Sequence, residues 1–326
     1  MEAFFTRVQH YTESFLTWRK RRKIHKQEKQ KKKNVILDWV EAFIWAAFFV
    51  LIINQYFFQA YQIPSGSMED TLKIGDRIFV NKFIFGPELV PGKGKMSGFT
   101  EPERGEIIIF RNPTYISKGP FFDIATQLVY MLTLSMVNLD TNEAGEPKPH
   151  YLIKRAVGMG EDRLRLSKGN MLFKPEGEEN WLTEEEFKKI RGLDYHTKRF
   201  ISEDEYSLYE NAGAAMANKE MGFSLNSSQR SALQEMQNNM YLDYFAFNYY
   251  RAQTLLKANP HNNSYRSVWK GYELGWYIPE GHVFPMGDSR DNSRDARYFG
   301  TLQKSDVLGQ AIFRYWPLQR FGTIQN

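Results

Sequence analysis

The sequence predicts a mainly β body, a barrel or sandwich, carried behind an apolar helix and interrupted by an inserted α-containing segment. Three observations carry this reading: a 19-residue uncharged apolar window, a series of short β-branched and aromatic stretches between Gly/Pro connectors, and two stretches with apolar residues at helical spacing. The chain has 326 residues, enough for one large or two ordinary domains, and its 42% hydrophobic content supplies a core. With no cysteine, it is not a disulfide framework, a thiol enzyme, an iron–sulfur protein or a cysteine-ligated zinc module.

The formal charge of +5 is unevenly placed: residues 1–33 hold 11 Lys/Arg against 3 Asp/Glu, leaving 32 against 35 elsewhere. The body is slightly acidic, which excludes a globally basic surface, and no nucleic-acid partner is expected. Ten of the fifteen positions from Arg19 to Lys33 are cationic, a density that must stay solvated. Residues Ala42 to Ile53 are apolar without interruption, and the window runs on to Ala60 with Trp39, Trp45 and Tyr56 as candidate interfacial rings. This is close to the roughly 20 residues a helix needs to cross a bilayer; a buried core helix is the alternative. A basic flank keeps its own side cytoplasmic and sends the chain beyond the apolar segment across, so residues 61–326 are expected outside the cytoplasm. No small-x-small site closes the segment, which argues for an uncleaved signal anchor. The expected organisation is a basic tail over 1–38, a transmembrane anchor over 39–60, a β core over 61–173 and 281–326, and an inserted subdomain over 174–280.

Strands are expected at Asp76–Phe85, Gly105–Arg111, Tyr151–Val157, His282–Met286 and Val307–Tyr315, with Leu164–Leu166 and Met171–Phe173 as a hairpin around Ser167-Lys168-Gly169-Asn170. Residues 121–139 read as an amphipathic helix; Asp123 and Gln127 make a full membrane crossing the poorest of its readings, leaving a surface-lying helix and core packing open. Within the insertion a helical pattern runs from about Ser228 to Lys257 around the aromatics Tyr241, Tyr244, Phe245, Phe247, Tyr249 and Tyr250, for which packing is the better reading than ligand binding.

In Ile63-Pro64-Ser65-Gly66-Ser67-Met68, Pro64 stiffens and Gly66 bends the chain, so Ser67 is presented on a constrained turn; taken alone it also reads as an ordinary turn serine, and Lys154 alone as an edge-strand charge. A serine needs a base. The six histidines are scattered and offer none. A desolvated lysine can serve, and Lys154 lies in the otherwise apolar strand Tyr151–Gly158, beside Arg155, so that one cation can be buried and the other solvated.

These two segments, together with Arg104-Gly105-Glu106-Ile107-Ile108-Ile109-Phe110 and Gly287-Asp288-Ser289-Arg290-Asp291-Asn292-Ser293-Arg294-Asp295-Ala296-Arg297, resemble the four boxes of the bacterial type I signal peptidases, in that family's order and behind an anchor. The resemblance implies a signal-peptidase-like β core and a membrane-bound endopeptidase that removes signal peptides from exported preproteins. It implies Ser67 as nucleophile and Lys154 as general base, with Ser65 and the Ser67 N–H as oxyanion hole and Ser293 bonded to Lys154. Asp295 and Arg297 would form a supporting pair, with Asp288 and Arg290 as further structural members. Ile63, Pro64, Met68 and Leu152 are candidate walls for small substrate side chains. No metal or organic cofactor is implied; the partners are signal peptides and the lipid bilayer of the cytoplasmic membrane, and the oligomeric state is left open. Three departures stand out: Asp70 replaces the usual proline after Ser-Met-x, Glu161 sits where the family turn has glycine, and Gly287-Asp288-Ser289 replaces the usual Gly-Asp-Asn. The rival readings are a different Ser–Lys protease and a catalytically idle membrane-anchored scaffold of the same fold.

Overall fold

The computed structural model describes residues 2–31, 35–90, 93–141 and 148–324. The chain up to Leu51 forms one unit and the chain from Ile52 onward a second. In the first, helix α1 (Glu2–Lys31) carries the basic run as far as Lys31, Lys32 and Lys33 lying outside the described residues, and α2 (Val35–Ile52) comes next. The apolar helical stretch extends over Val35–Phe57, and none of its apolar window is buried. Asp38 and Glu41 lie near its start and no charge follows within it from Ala42 on; an uncharged window left uncovered is not a buried core helix. Its limits differ from the expected 39–60: Phe58, Gln59 and Ala60 already belong to a strand, with Gln59 and Ala60 inside the body.

The second unit holds β1 (Phe58–Gln62), β2 (Arg77–Asn81), β3 (Glu88–Val90), β4 (Lys93–Lys95), β5 (Ile107–Arg111), β6 (Tyr151–Met159), β7 (Arg163–Ser167) and β8 (Asn170–Lys174). After these come β9 (Leu182–Thr183), β10 (Trp276–Tyr277), β11 (His282–Met286), β12 (Leu302–Gln303), β13 (Val307–Trp316) and β14 (Gly322–Thr323). The main antiparallel sheet runs β1-β2-β13-β5-β6-β11-β12, with β14 on β13; a second runs β10-β7-β8-β9. The mainly β body of the sequence reading is thus present. Ile107, Ile108, Ile109 and Phe110 are all fully buried because both faces of β5 are covered, one by Ile63, Met68 and Ile78, the other by Ala156 and Val283. That is why the strand reads as an unbroken apolar run instead of an alternation. The β7–β8 hairpin turns through Lys168 and Gly169, both at positive φ (45° and 67°), as a tight two-residue hairpin requires.

Helix α3 spans Pro120–Leu132, short of the expected 121–139, because Leu134 and Ser135 take positive φ (49° and 65°) and turn the chain away. The insertion carries α4 (Glu184–Arg191), α5 (Tyr206–Glu220), α6 (Ser227–Asn238), α7 (Tyr244–Ala258) and α8 (Asn263–Leu274). The pattern read as one helix over 228–257 is two: Asn239 is extended, and Asp243 starts α7 by accepting from the Phe245 and Ala246 N–H groups. Gly213 lets α5 and α7 meet, since a Cβ there would lie 2.7 Å from the Phe247 carbonyl. Tyr241, Phe247 and Tyr250 pack with Tyr206 and Tyr209 in the insertion's core. A short helix, α9 (Ala296–Phe299), lies beyond β11.

Candidate active site

Ser67 sits in a single 3₁₀ turn, Gly66–Met68, entered from Ser65 in an extended conformation. The turn is pinned on both sides. Leu72 N–H donates to the Met68 carbonyl at 2.7 Å, Ile63 N–H to the Asp76 carbonyl at 2.8 Å, and Ser289 N–H to the Ser67 carbonyl at 3.1 Å. Asp76 is held in turn by both oxygens on Arg320, at 2.8 Å each. A turn fixed in this way holds the Ser67 side chain in one place.

Lys154 lies in β6, opposite Ile108 of β5. Its Nζ is 2.7 Å from Ser67 Oγ and donates to the Ile153 carbonyl at 3.0 Å. The side chain is buried, and burial pulls its pKa down to about 8, against the nearby Asp295 and Asp288, which favour the charged form. A second buried lysine, Lys82, is lowered equally, to about 8. Its Nζ meets Gln59 Oε1 at 3.2 Å and the Asn54 carbonyl at 3.5 Å, with no hydroxyl to activate. Geometry, not acidity alone, singles out Lys154.

Arg155 is the main correction. Burial of one cation and solvation of its neighbour was the expectation, but Arg155 is 1% exposed. Its Nε and Nη2 each reach Asp288 at 2.8 Å, Nη1 donates to the Gly105 carbonyl at 2.6 Å, and its guanidinium lies over Tyr195. Two faces of a strand are both dry here, and the carboxylate that neutralises Arg155 comes from far along the chain.

Asp295 and Arg297 form a two-pronged pair at 2.8 and 2.9 Å. Despite burial, the Arg297 charge holds Asp295 below the usual carboxylate range. Arg290 donates to the Gly287 carbonyl at 2.8 Å and pairs with Glu184. Ser293 differs from expectation: no hydrogen bond joins its buried Oγ to Lys154, and the hydroxyl instead helps hold the Asp295 carboxylate in its charged form. It packs on Gly287, where a Cβ would crowd Ser293 and come within 2.5 Å of the Ser67 carbonyl. Of the candidate pocket residues, Ile63 and Met68 are buried in one core cluster, Leu152 packs in another with Phe110, and Pro64 is exposed; Ser65, the candidate oxyanion residue, is exposed as well. Glu161 meets its turn by taking φ 71°, and Asp70 is exposed.

The insertion supplies site residues that no local motif announces. Lys198 N–H donates to the Asp288 carbonyl at 2.8 Å and Arg290 N–H to the Lys198 carbonyl at 2.9 Å, while Lys198 Nζ reaches Glu69 at 3.4 Å. Asp291 accepts from Arg199 Nε and from the Phe200 N–H at 2.9 and 2.7 Å. A separate cavity of about 730 Å³ lies against the insertion helices, lined by Phe245, Tyr249, Trp276 and Glu273, and includes neither Ser67 nor Lys154. No group of acidic and histidine side chains suited to a metal occurs among the described residues.

The chain's residues 36–316 match the model of the family described as signal peptidase, peptidase S26. It is 24% identical to the signal peptidase I of Pseudomonas aeruginosa over 311 residues, covering 92% of this chain and 80% of the relative. It is 27% identical to that of Haemophilus influenzae (83% and 67% covered) and 26% identical to that of Aquifex aeolicus (82% and 79% covered). The match spans the Gly66–Met68 turn, strand β6, residues 174–280 and the Gly287–Arg297 loop together, and the chain belongs to the signal peptidase family of peptidases, S26.

Proposed function

We propose that this enzyme is a serine endopeptidase that cuts signal peptides from exported preproteins, with Ser67 as nucleophile and Lys154 as general base. The observation that carries the reading is the 2.7 Å approach of a desolvated lysine amine to a serine oxygen. Neutral Lys154 takes the Ser67 hydroxyl proton as Oγ bonds to the scissile carbonyl carbon. The charge that develops on the carbonyl oxygen is met by the Ser67 N–H and the Ser65 hydroxyl. Lys154 then gives its proton to the departing amine, leaving an ester on Ser67. A water, deprotonated by the same amine, hydrolyses that ester and restores the serine.

Once charged, Lys154 needs a partner other than Ser67. The buried hydroxyl of Ser293, packed on the same glycine as the Ser67 carbonyl and turned with its proton toward Asp295, is the acceptor in this scheme. Asp295–Arg297 and Asp288–Arg155 hold the two walls that carry it. Ile63, Pro64, Met68 and Leu152 are the proposed surroundings of the small side chains before the cut. The α2 stretch anchors the enzyme in the cytoplasmic membrane with the basic tail on the cytoplasmic side, so enzyme and substrate meet in one bilayer at raised effective concentration. The test is mass spectrometry of a preprotein incubated with the purified full chain in detergent. One cut after a small-x-small site is expected. No cut, with the protein folded, would favour the idle scaffold.

A further inference from the structure

The turn that presents Ser67 has two flanks of different chemistry. On one stand Ile63 and Pro64, just past β1, and Leu152 of β6, the proposed surroundings of the residues before the cut. The other is polar and is built by other segments. Gly66 is faced there by the Glu69 carboxylate and the Asn292 amide, each 3.2 Å from where a Cβ would lie. Lys198 of the insertion reaches the same carboxylate at 3.4 Å, and its ammonium lies over Phe200. Next along the chain is Asp70, exposed and without an ionic or hydrogen-bonded partner among the described residues. Its backbone is fixed at both ends. Glu69 N–H donates to the Gly66 carbonyl at 3.1 Å, while the Thr71 hydroxyl donates to Asp288 at 2.6 Å and the Thr71 carbonyl accepts from Arg314 at 3.1 Å. The cations at that carbonyl, Arg314 and Arg320, are both bound by Asp76 and are largely buried. The exposed balance beside the turn is therefore one cation, Lys198, against two anions, Glu69 and Asp70.

We infer that Asp70, with the Glu69–Lys198 pair beside it, sets specificity for the first two residues after the cut, disfavouring acidic side chains there and favouring cationic ones. The inference rests on the Ser–Lys reading, because the reacting Ser67 fixes where the cut chain lies. A peptide lying extended across Ser67 rises about 3.3 Å per residue. With the residues before the cut on the Ile63 and Leu152 flank, the first two after it pass on the other, within about 7 Å of the scissile bond. Lys198 cancels the charge of Glu69, and Asp70 is left to act on the passing side chain. A charge held on a fixed backbone at this distance acts through partly solvated space, where it is felt but is open to screening by salt. Asp70 stands where the family pattern has proline, so this preference belongs to the chain's own sequence.

The test uses three preproteins identical except for Lys, Ala or Glu at the second residue after the cut. Each is given to the full chain in detergent, and kcat/KM is measured in low and high salt. The wild type is expected to favour Lys over Glu by about tenfold at about 0.1 M salt and about twofold at about 1 M, where the screening length falls to about 3 Å. Asp70→Asn removes the exposed charge and should bring the low-salt ratio below about threefold; Lys198→Met unpairs Glu69 and should widen it to about 30-fold. A wild-type ratio of one would overturn the inference. So would a ratio that Asp70→Asn leaves unchanged, or one that Lys198→Met does not widen. Failure of the wild type to cut even the Ala preprotein would instead bring down the Ser–Lys reading, and this inference with it.

Discussion

Arg155 and Asp288 face each other in a buried two-pronged ion pair, 2.8 Å at each contact, one residue along β6 from Lys154. Thr71, four residues after the nucleophile, donates to the same carboxylate at 2.6 Å. The pair thus joins the nucleophile loop, the lysine strand and the Gly287–Arg297 loop. Removing one partner strands a charge in the interior. Arg155→Met is expected to cost about 3–5 kcal/mol in denaturant unfolding, while Arg155→Met with Asp288→Leu recovers most of it. A loss under about 1 kcal/mol for the single variant would show that the pair is not what holds these segments together.

The pH profile is set by the sign of the lysine shift. Burial lowers Lys154 to about 8, so below that value it is protonated and cannot accept the serine proton. The rate constant kcat/KM should rise about tenfold per pH unit up to about 8 and then level off. A stopped-assay profile with a peptide substrate checks this. A flat profile from about pH 6 to 9 would mean that another group is the base.

Gly287 has no room for a side chain. A Cβ there would come within 2.5 Å of the Ser67 carbonyl and displace Ser293. Gly287→Ala should lower kcat by about 100-fold through misplacement of the nucleophile turn, with KM changed far less. Steady-state kinetics on a folded variant, checked by circular dichroism, read the split.

At Glu161 the backbone adopts φ 71°, a conformation that glycine takes without strain, and the neighbouring Glu176 raises its carboxyl pKa. Glu161→Gly should raise Tm by about 2–4 °C and leave cleavage unchanged. A fall in Tm would show that the side chain contributes a contact worth more than the strain.

How far the sequence was legible depends on whether a signal is local. The strands around Ile107 and Val307 stood out by composition, and Ser67 and Lys154 by residue type in their settings; their resemblance to known boxes joined two residues 87 apart. Strand β1 was hidden because Phe58–Gln62 continues the apolar window without a breaker, so the end of the anchor was placed three residues too far along the chain. Burial of Arg155 was hidden because its counter-ion is 133 residues away. Glu184, Lys198 and Arg199 carried no motif, since each reaches the site only once the insertion folds back onto the Gly287–Arg297 loop. The polarity of α3 was read correctly as two-faced, but sequence alone does not say which face looks inward. Tertiary ties to Tyr130 and Asp123 decide that.

The most direct test of the dyad is preprotein cleavage by the wild type beside Ser67→Ala and Lys154→Met, each shown to be folded. The account predicts a single specific cut by the wild type and no detectable turnover by either variant. Wild-type turnover in Lys154→Met would contradict it.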